Sequence, residues 1–294
     1  MRRILLDTSD LINVLERKAP VTPDALEDFL ISRNAALVLT FTTVLEFVAP
    51  VVKTGDFLHF RPLLRRLEHM PILFLSNGHV PMQELKHAAE VFVEEAEYSS
   101  IDPYVQRWDE TVQLPGESLL KQVVGFRIDD AVYEIWKTNP AAISGHVRHT
   151  ATLRKVVAED RSRPSPRASQ EENFPNSIRK DLQRSQRYGF TVPEDRVESF
   201  ANWIYADARR CPGMRLSYDL YHSKLANIDD QPKSGDISDH SLAQCLPYVD
   251  AISVDKRTGG YLRNVCQRLE TLNPALGYSA KIRVGLKEIL LKDL

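Results

Sequence analysis

Four carboxylates in this 294-residue chain stand where they could act together: Asp7, Glu46, Asp239 and Asp255. Asp7 ends the apolar run Ile4–Leu6, and Asp255 ends the short run from Ala251 to Val254. Glu46 lies a few residues beyond the apolar stretch 35–41, AALVLTF. Asp239 falls near the start of a helix expected over 237–246. Carboxylates held close together raise one another's pKa values unless a cation neutralises them. An all-oxygen donor set selects a hard ion, Mg²⁺ or Mn²⁺. One or two such ions activate water and stabilise the charge that develops at a phosphodiester. Taken singly, each acid equally suits a helix cap or a charged surface. Two assignments stay open. Asp236 is one helical turn from Asp239, so either can face the site. Asp250 and Asp255 sit at opposite ends of one strand, and Asp255 is preferred for the carboxyl end.

The elements that would position these acids read as α/β. Short, continuous apolar runs without polar alternation predict strands buried on both faces, as in a parallel sheet. They fall at 4–6, 35–41 and 251–254, with 72–75 as a third strand or an extended link and 279–284 as a last edge strand. Ligand sites in such sheets lie outside the carboxyl ends of the strands. Helices are expected after each, from Asp10, from Thr42 or Thr43, and from Thr258 or Tyr261, with a terminal helix over 286–291. Pro50 is expected to end or kink its helix early. From about Met82 to Leu225 the pattern is largely helical, with apolar residues spaced about 3.6 apart, as in Val197, Phe200, Ala201, Ile204 and Tyr205. Within it, 160–175 is rich in Ser, Pro and charge and reads as a loop or disordered segment.

The segment Ile4-Leu-Leu-Asp7-Thr8-Ser9-Asp10 resembles the opening of PIN-domain nucleases, and Thr43-Val-Leu-Glu46 their second acidic motif. Asp236-Ile-Ser-Asp239-His-Ser-Leu-Ala and Ser253-Val-Asp255-Lys256 are similar to the third and fourth. The resemblance implies a doubly wound, mainly parallel α/β/α sandwich whose acids bind Mg²⁺ or Mn²⁺ to cut RNA, and in some members DNA. It implies metal-site and catalytic roles for Asp7, Glu46, Asp239 and Asp255, with Asp236 as a further ligand candidate, and substrate contacts at Thr8, Lys256 and Arg257. Residues 1–80 and 231–294 would form a discontinuous nuclease domain, and 81–230 a helical insertion or cap. A toxin or defence role, RNA as partner, self-association and an inhibitory protein partner all fit the family. The alternatives are a non-catalytic module of this fold that binds nucleic acid or protein, and a DNA-directed nuclease.

Composition narrows the remaining choices. The chain is 43% hydrophobic and 27% charged, as soluble globular proteins are. No apolar run is long enough for a membrane span, and the first residues are no secretory signal, so a cytoplasmic location is expected. Cys211, Cys245 and Cys266 are far apart, without zinc-site spacing, and are expected to be reduced. No Walker-type or GxGxxG loop is present. The net charge of −2 conceals a basic stretch, 148–187, with ten Lys/Arg against five Asp/Glu. That stretch suits either contact with a polyanion or a solvated segment. His146, Arg148 and His149 suit RNA contact or a solvated helix face, and His240 suits a phosphate bond or an ordinary structural role. Trp108, Trp136 and Trp203 are expected in the core rather than as base-stacking platforms.

Overall fold

The computed structural model describes residues 1–76, 80–105, 127–138, 176–182, 190–227 and 229–291 except 232 and 234, with single positions at 155, 158, 159 and 162. The basic stretch lies mostly outside these residues, as do Trp108, His146, Arg148, His149 and most of the expected 160–175 loop.

Six strands form one mixed, mostly parallel sheet in the order β4-β3-β2-β1-β5-β6. They are β1 (Arg2–Leu5), β2 (Ala35–Thr40), β3 (Ile72–Leu75), β4 (Tyr104–Val105), β5 (Ala251–Val254) and β6 (Ile282–Val284). Only β4 runs antiparallel, against β3. The chain steps outward from β1 through β2 to β3, then returns to the other side of β1 for β5 and β6. The order therefore reverses between β1 and β5. In open α/β sheets the ligand crevice lies at such a reversal, outside the carboxyl ends of the strands.

The apolar runs are strands because both of their faces are buried. Ile4, Leu37, Leu39 and Ala251 enter one core, with α1 (Thr8–Leu15), α2 (Pro23–Ser32), α3 (Phe41–Thr54), α4 (Phe57–Leu67) and α6 (Ile128–Thr138). Leu5, Val38, Leu75, Ile252 and Val254 enter the other. That face is covered by α8 (Pro212–Ala226), α9 (Asp236–Cys245) and α10 (Lys256–Leu272), with α5 (Val80–Glu94) contributing Val80. A smaller core joins α5 to α7 (Val197–Ala206). Full burial of each such aliphatic side chain contributes about 2 kcal/mol. Elements from the long middle stretch thus build the sheet's surroundings directly: α6 packs on α3 and α4, and α8 on α9 and α10.

Local chemistry sets the ends. Thr40 and Thr43 cap α3 reciprocally, satisfying donors at its start. Of the end or kink expected at Pro50, the helix shows no end there. It runs to Thr54, where Gly55 takes the left-handed conformation (φ 70°) that ends many helices. The final helix, α11 (Leu286–Leu291), packs against β5 and β6. Among the described residues no helix is long and apolar enough to cross a membrane.

Candidate active site

Asp7 and Asp255 follow the two strands that flank the reversal. Both are N-caps. Asp7 Oδ1 accepts from the Ser9 N–H at 2.8 Å and from Ser9 Oγ at 2.5 Å, opening α1. Asp255 Oδ1 accepts from the Thr258 N–H at 2.8 Å, opening α10 at Lys256, ahead of the start expected at Thr258 or Tyr261. Capping fixes both carboxylates at the carboxyl edge of the sheet, since each strand ends one or two residues before its acid.

Between them, Ser253 of β5 receives the Asp7 N–H at 2.8 Å and donates to Asp10 Oδ2 at 3.0 Å. Burial raises the Asp10 carboxyl above its ordinary value, and neighbouring Asp7 adds to the rise while the Ser253 bond opposes it. The sequence pattern makes Asp10 the start of a helix and the last residue of the Ile4–Asp10 segment, and gives it no site role. Its spacing from Asp7, three residues into the same helical turn, was the available signal.

The second cluster is built on α9. Asp239 Oδ2 accepts from Thr258 Oγ1 at 2.7 Å, and the same hydroxyl lies 3.3 Å from Asp255 Oδ2. Thr258 therefore joins the two carboxylates. Burial pushes the Asp239 carboxyl up, outweighing the opposing Lys224 and Thr258 bonds, and the Asp255 charge adds to the rise. Ser238 Oγ donates to Glu46 Oε1, which links α3 to α9.

Asp236, one turn before Asp239, is committed differently. It accepts from Lys224 Nζ at 2.7 Å, from Arg257 Nη1 at 2.5 Å and from the Lys233 N–H at 2.7 Å. Burial alone would raise its carboxyl, but the Arg257 and Lys224 bonds prevail and hold it far below the usual range. Lys224 Nζ also donates to Asp239 Oδ2 at 2.7 Å. This buried lysine on α8 carried no sequence signal, because its partners lie twelve and fifteen residues on, across a helix–helix contact.

The expected substrate contacts fall unevenly. Lys256 is exposed at the first position of α10. Thr8 is buried at the first position of α1, directly after its cap Asp7. Arg257 points its guanidinium at Asp230 and Asp236 rather than outward. Asp250 lies at the opposite end of β5, accepting the Arg3 N–H at 2.7 Å. His240 turns to the Ser217 carbonyl at 3.3 Å, and burial pushes its imidazole down to about 4, so the ring is neutral.

The remaining candidates are structural. Trp136 stacks on Phe57, and Trp203 packs against Phe92 and Phe200. The three cysteines are free and buried, and burial pushes the Cys266 thiol up to about 12, where it is not a nucleophile at neutral pH.

Among the described residues, Asp7, Asp10, Asp239 and Asp255 bring oxygen donors to the carboxyl edge, which is the chemistry a hard divalent cation needs. Among the described residues, however, no three His, Cys, Asp or Glu side chains are grouped to hold a metal ion. The pair Asp236–Asp239 holds an ammonium between its carboxylates. Compared with protein-family models, curated proteins and solved structures, the chain gives no match.

Proposed function

We propose that this protein is a metal-dependent nuclease that hydrolyses RNA phosphodiester bonds. The observation that carries the reading is the placement of Asp7 and Asp255 on the two strands flanking the sheet's reversal, with Asp239 tied to Asp255 through Thr258. Asp7, Glu46, Asp239 and Asp255 are the residues that would hold Mg²⁺ or Mn²⁺. Such an ion supplies Lewis acidity at the phosphodiester and to the attacking water. The chain's own groups do the rest. Thr258 and Ser253 fix the directions of Asp239, Asp255 and Asp10. Lys256, exposed beside Asp255, meets the phosphate backbone. Water attacks phosphorus in line and the bond to the leaving oxygen breaks. One product ends in a phosphate and the other in a hydroxyl, with no covalent enzyme adduct.

Single-stranded RNA and tRNA, incubated with the protein and Mn²⁺ or Mg²⁺, should be cut. Cleavage should stop with EDTA and fall as salt rises, since backbone contacts are screened. Cleavage that survives EDTA or Asp7→Asn overturns the reading. Single-stranded DNA run alongside decides between RNA and DNA as substrate.

One observation favours a second reading, a non-catalytic module of this fold that binds nucleic acid or protein. The Lys224 ammonium is already paired with Asp236 and Asp239. Calorimetric titration with Mn²⁺ separates the two readings, because the binding module has no need of the ion.

A further inference from the structure

We infer that Lys224 is a positioning residue of the acidic edge, a resident counter-cation that holds Asp239 in place and competes with a divalent cation for it. The inference rests on the metal-site reading above.

Lys224 lies near the end of α8, and its ammonium reaches α9 across the contact between the two helices. Nζ stands 2.7 Å from Asp236 Oδ1 and 2.7 Å from Asp239 Oδ2. The three side chains are 9%, 4% and 10% exposed, so this is a buried ionic triad. Buried charges are tolerated when paired and hydrogen-bonded, and removing one partner leaves the others uncompensated. An ammonium has three donors, of which two are committed here to carboxylates.

The second carboxylate decides the consequence. Asp236 has Arg257 as a further cationic partner, so it remains paired whatever Lys224 does. Asp239 depends on Lys224 for its charge partner. Its other bond comes from the neutral hydroxyl of Thr258, which leads to Asp255. The oxygen that Lys224 occupies, Asp239 Oδ2, is therefore the same one that Thr258 joins to the carboxylate at the sheet's reversal. A divalent ion drawing on Asp239 and Asp255 meets the ammonium at that oxygen. Lys224 thus keeps the acids ordered without an ion and weakens the ion's hold when one arrives.

The test uses the full chain stripped with EDTA, with Mn²⁺ as the probe. Binding is measured by calorimetry for the native protein, Lys224→Met and Lys224→Arg, and melting is followed by circular dichroism with and without Mn²⁺. Lys224→Met should bind Mn²⁺ at least about tenfold more tightly, as loss of an adjacent like charge requires. It should melt earlier than the native protein without Mn²⁺ and recover when Mn²⁺ is added. Lys224→Arg should bind Mn²⁺ as the native protein does. A merely structural lysine would lower the melting point without tightening the ion. If Lys224→Met does not fold, Lys224→Met/Asp236→Asn removes one buried charge of each sign and is read in the same way.

Equal or weaker binding by the folded variant overturns the inference, and if the native protein binds Mn²⁺ in that case the metal reading stands. Binding by the variant but not by the native protein supports the inference and removes the metal reading of the native site. No binding by either overturns both.

Discussion

The N–H of Asp7 donates to Ser253 Oγ across 2.8 Å, joining the end of β1 to the middle of β5 at the point where the strand order reverses. The same hydroxyl donates to Asp10 Oδ2, so one fully buried serine sets the backbone under Asp7 and the side chain of Asp10. Ser253→Ala leaves a half-buried N–H and a half-buried carboxylate each without its partner. The expected cost is about 1–3 kcal/mol, read as a lowered urea midpoint with an unchanged m-value. The proposed cleavage of RNA should fall with it, because the backbone of Asp7 loses its anchor. Unchanged stability would show that water replaces the hydroxyl.

Asp7 and Asp255 cap helices, and they are also the acids proposed to act on phosphodiesters, so the two roles must be separated. Asparagine caps a helix about as well as aspartate does, while alanine costs about 1 kcal/mol. Asp7→Asn and Asp255→Asn should therefore melt close to the native protein yet lose cleavage. Asp7→Ala and Asp255→Ala should lose both. Full activity in the asparagine variants would make these residues caps and nothing more.

The difference between what the chain displays locally and what it conceals follows the same lines. β1, β2 and β5 are legible because both faces are buried, Ile4 in one core and Leu5 in the other, so apolar residues follow one another with few polar breaks such as the buried Thr40 and Ser253. Asp7 and Asp255 are legible because each stands at the end of such a run, and Glu46 because it follows one within the first turns of α3. β4 was not, since two residues, Tyr104 and Val105, carry no periodicity. The start of α10 was misplaced because the Asp255–Thr258 cap, a contact three residues long, was read as the end of a strand only. Lys224, Ser253 and Thr258 matter through partners brought together by packing, and spacing along the chain holds no trace of that. Arg257 shows the reverse: a suitable residue type whose guanidinium is committed to Asp230 and Asp236.

Asp236 predicts the acid limb of stability. The Arg257 and Lys224 bonds hold its folded carboxyl below the unfolded value, so the folded state prefers the charged form. That contribution is fully present above the unfolded value, near pH 4, and is lost as pH falls below it. Asp236→Asn removes the contribution at every pH and leaves Lys224 and Arg257 facing a neutral amide. The expected loss at pH 7 is about 3 kcal/mol, the lower end for breaking a buried pair. The variant should also show a flatter acid limb between about pH 4 and pH 2 in urea titrations. An acid limb as steep as the native one would assign that limb to other carboxylates.

Glu84 predicts the opposite slope at higher pH. It is fully buried in α5, where its two oxygens accept the Gly213 and Met214 N–H groups at 2.7 and 2.9 Å and the Tyr248 hydroxyl. It thereby caps α8 from across the core. The fit leaves no slack, because a Cβ at Gly213 would stand 2.5 Å from the Gln244 carbonyl oxygen. Burial raises the Glu84 carboxyl to about 7 despite these bonds. A raised carboxyl binds its proton in the folded state at pH values where the unfolded chain has released it. Stability therefore falls as pH rises from about 4.5 to about 7, and levels off above. A shift of this size corresponds to roughly 3 kcal/mol across the window. Glu84→Gln cannot titrate, and its amide presents an N–H₂ to one of the two backbone donors. It should be less stable than the native protein near pH 5 and should lose the slope between pH 5 and 7. Urea denaturation of both proteins at pH 5, 6, 7 and 8 checks this, and a slope that persists in Glu84→Gln would place the titrating group elsewhere.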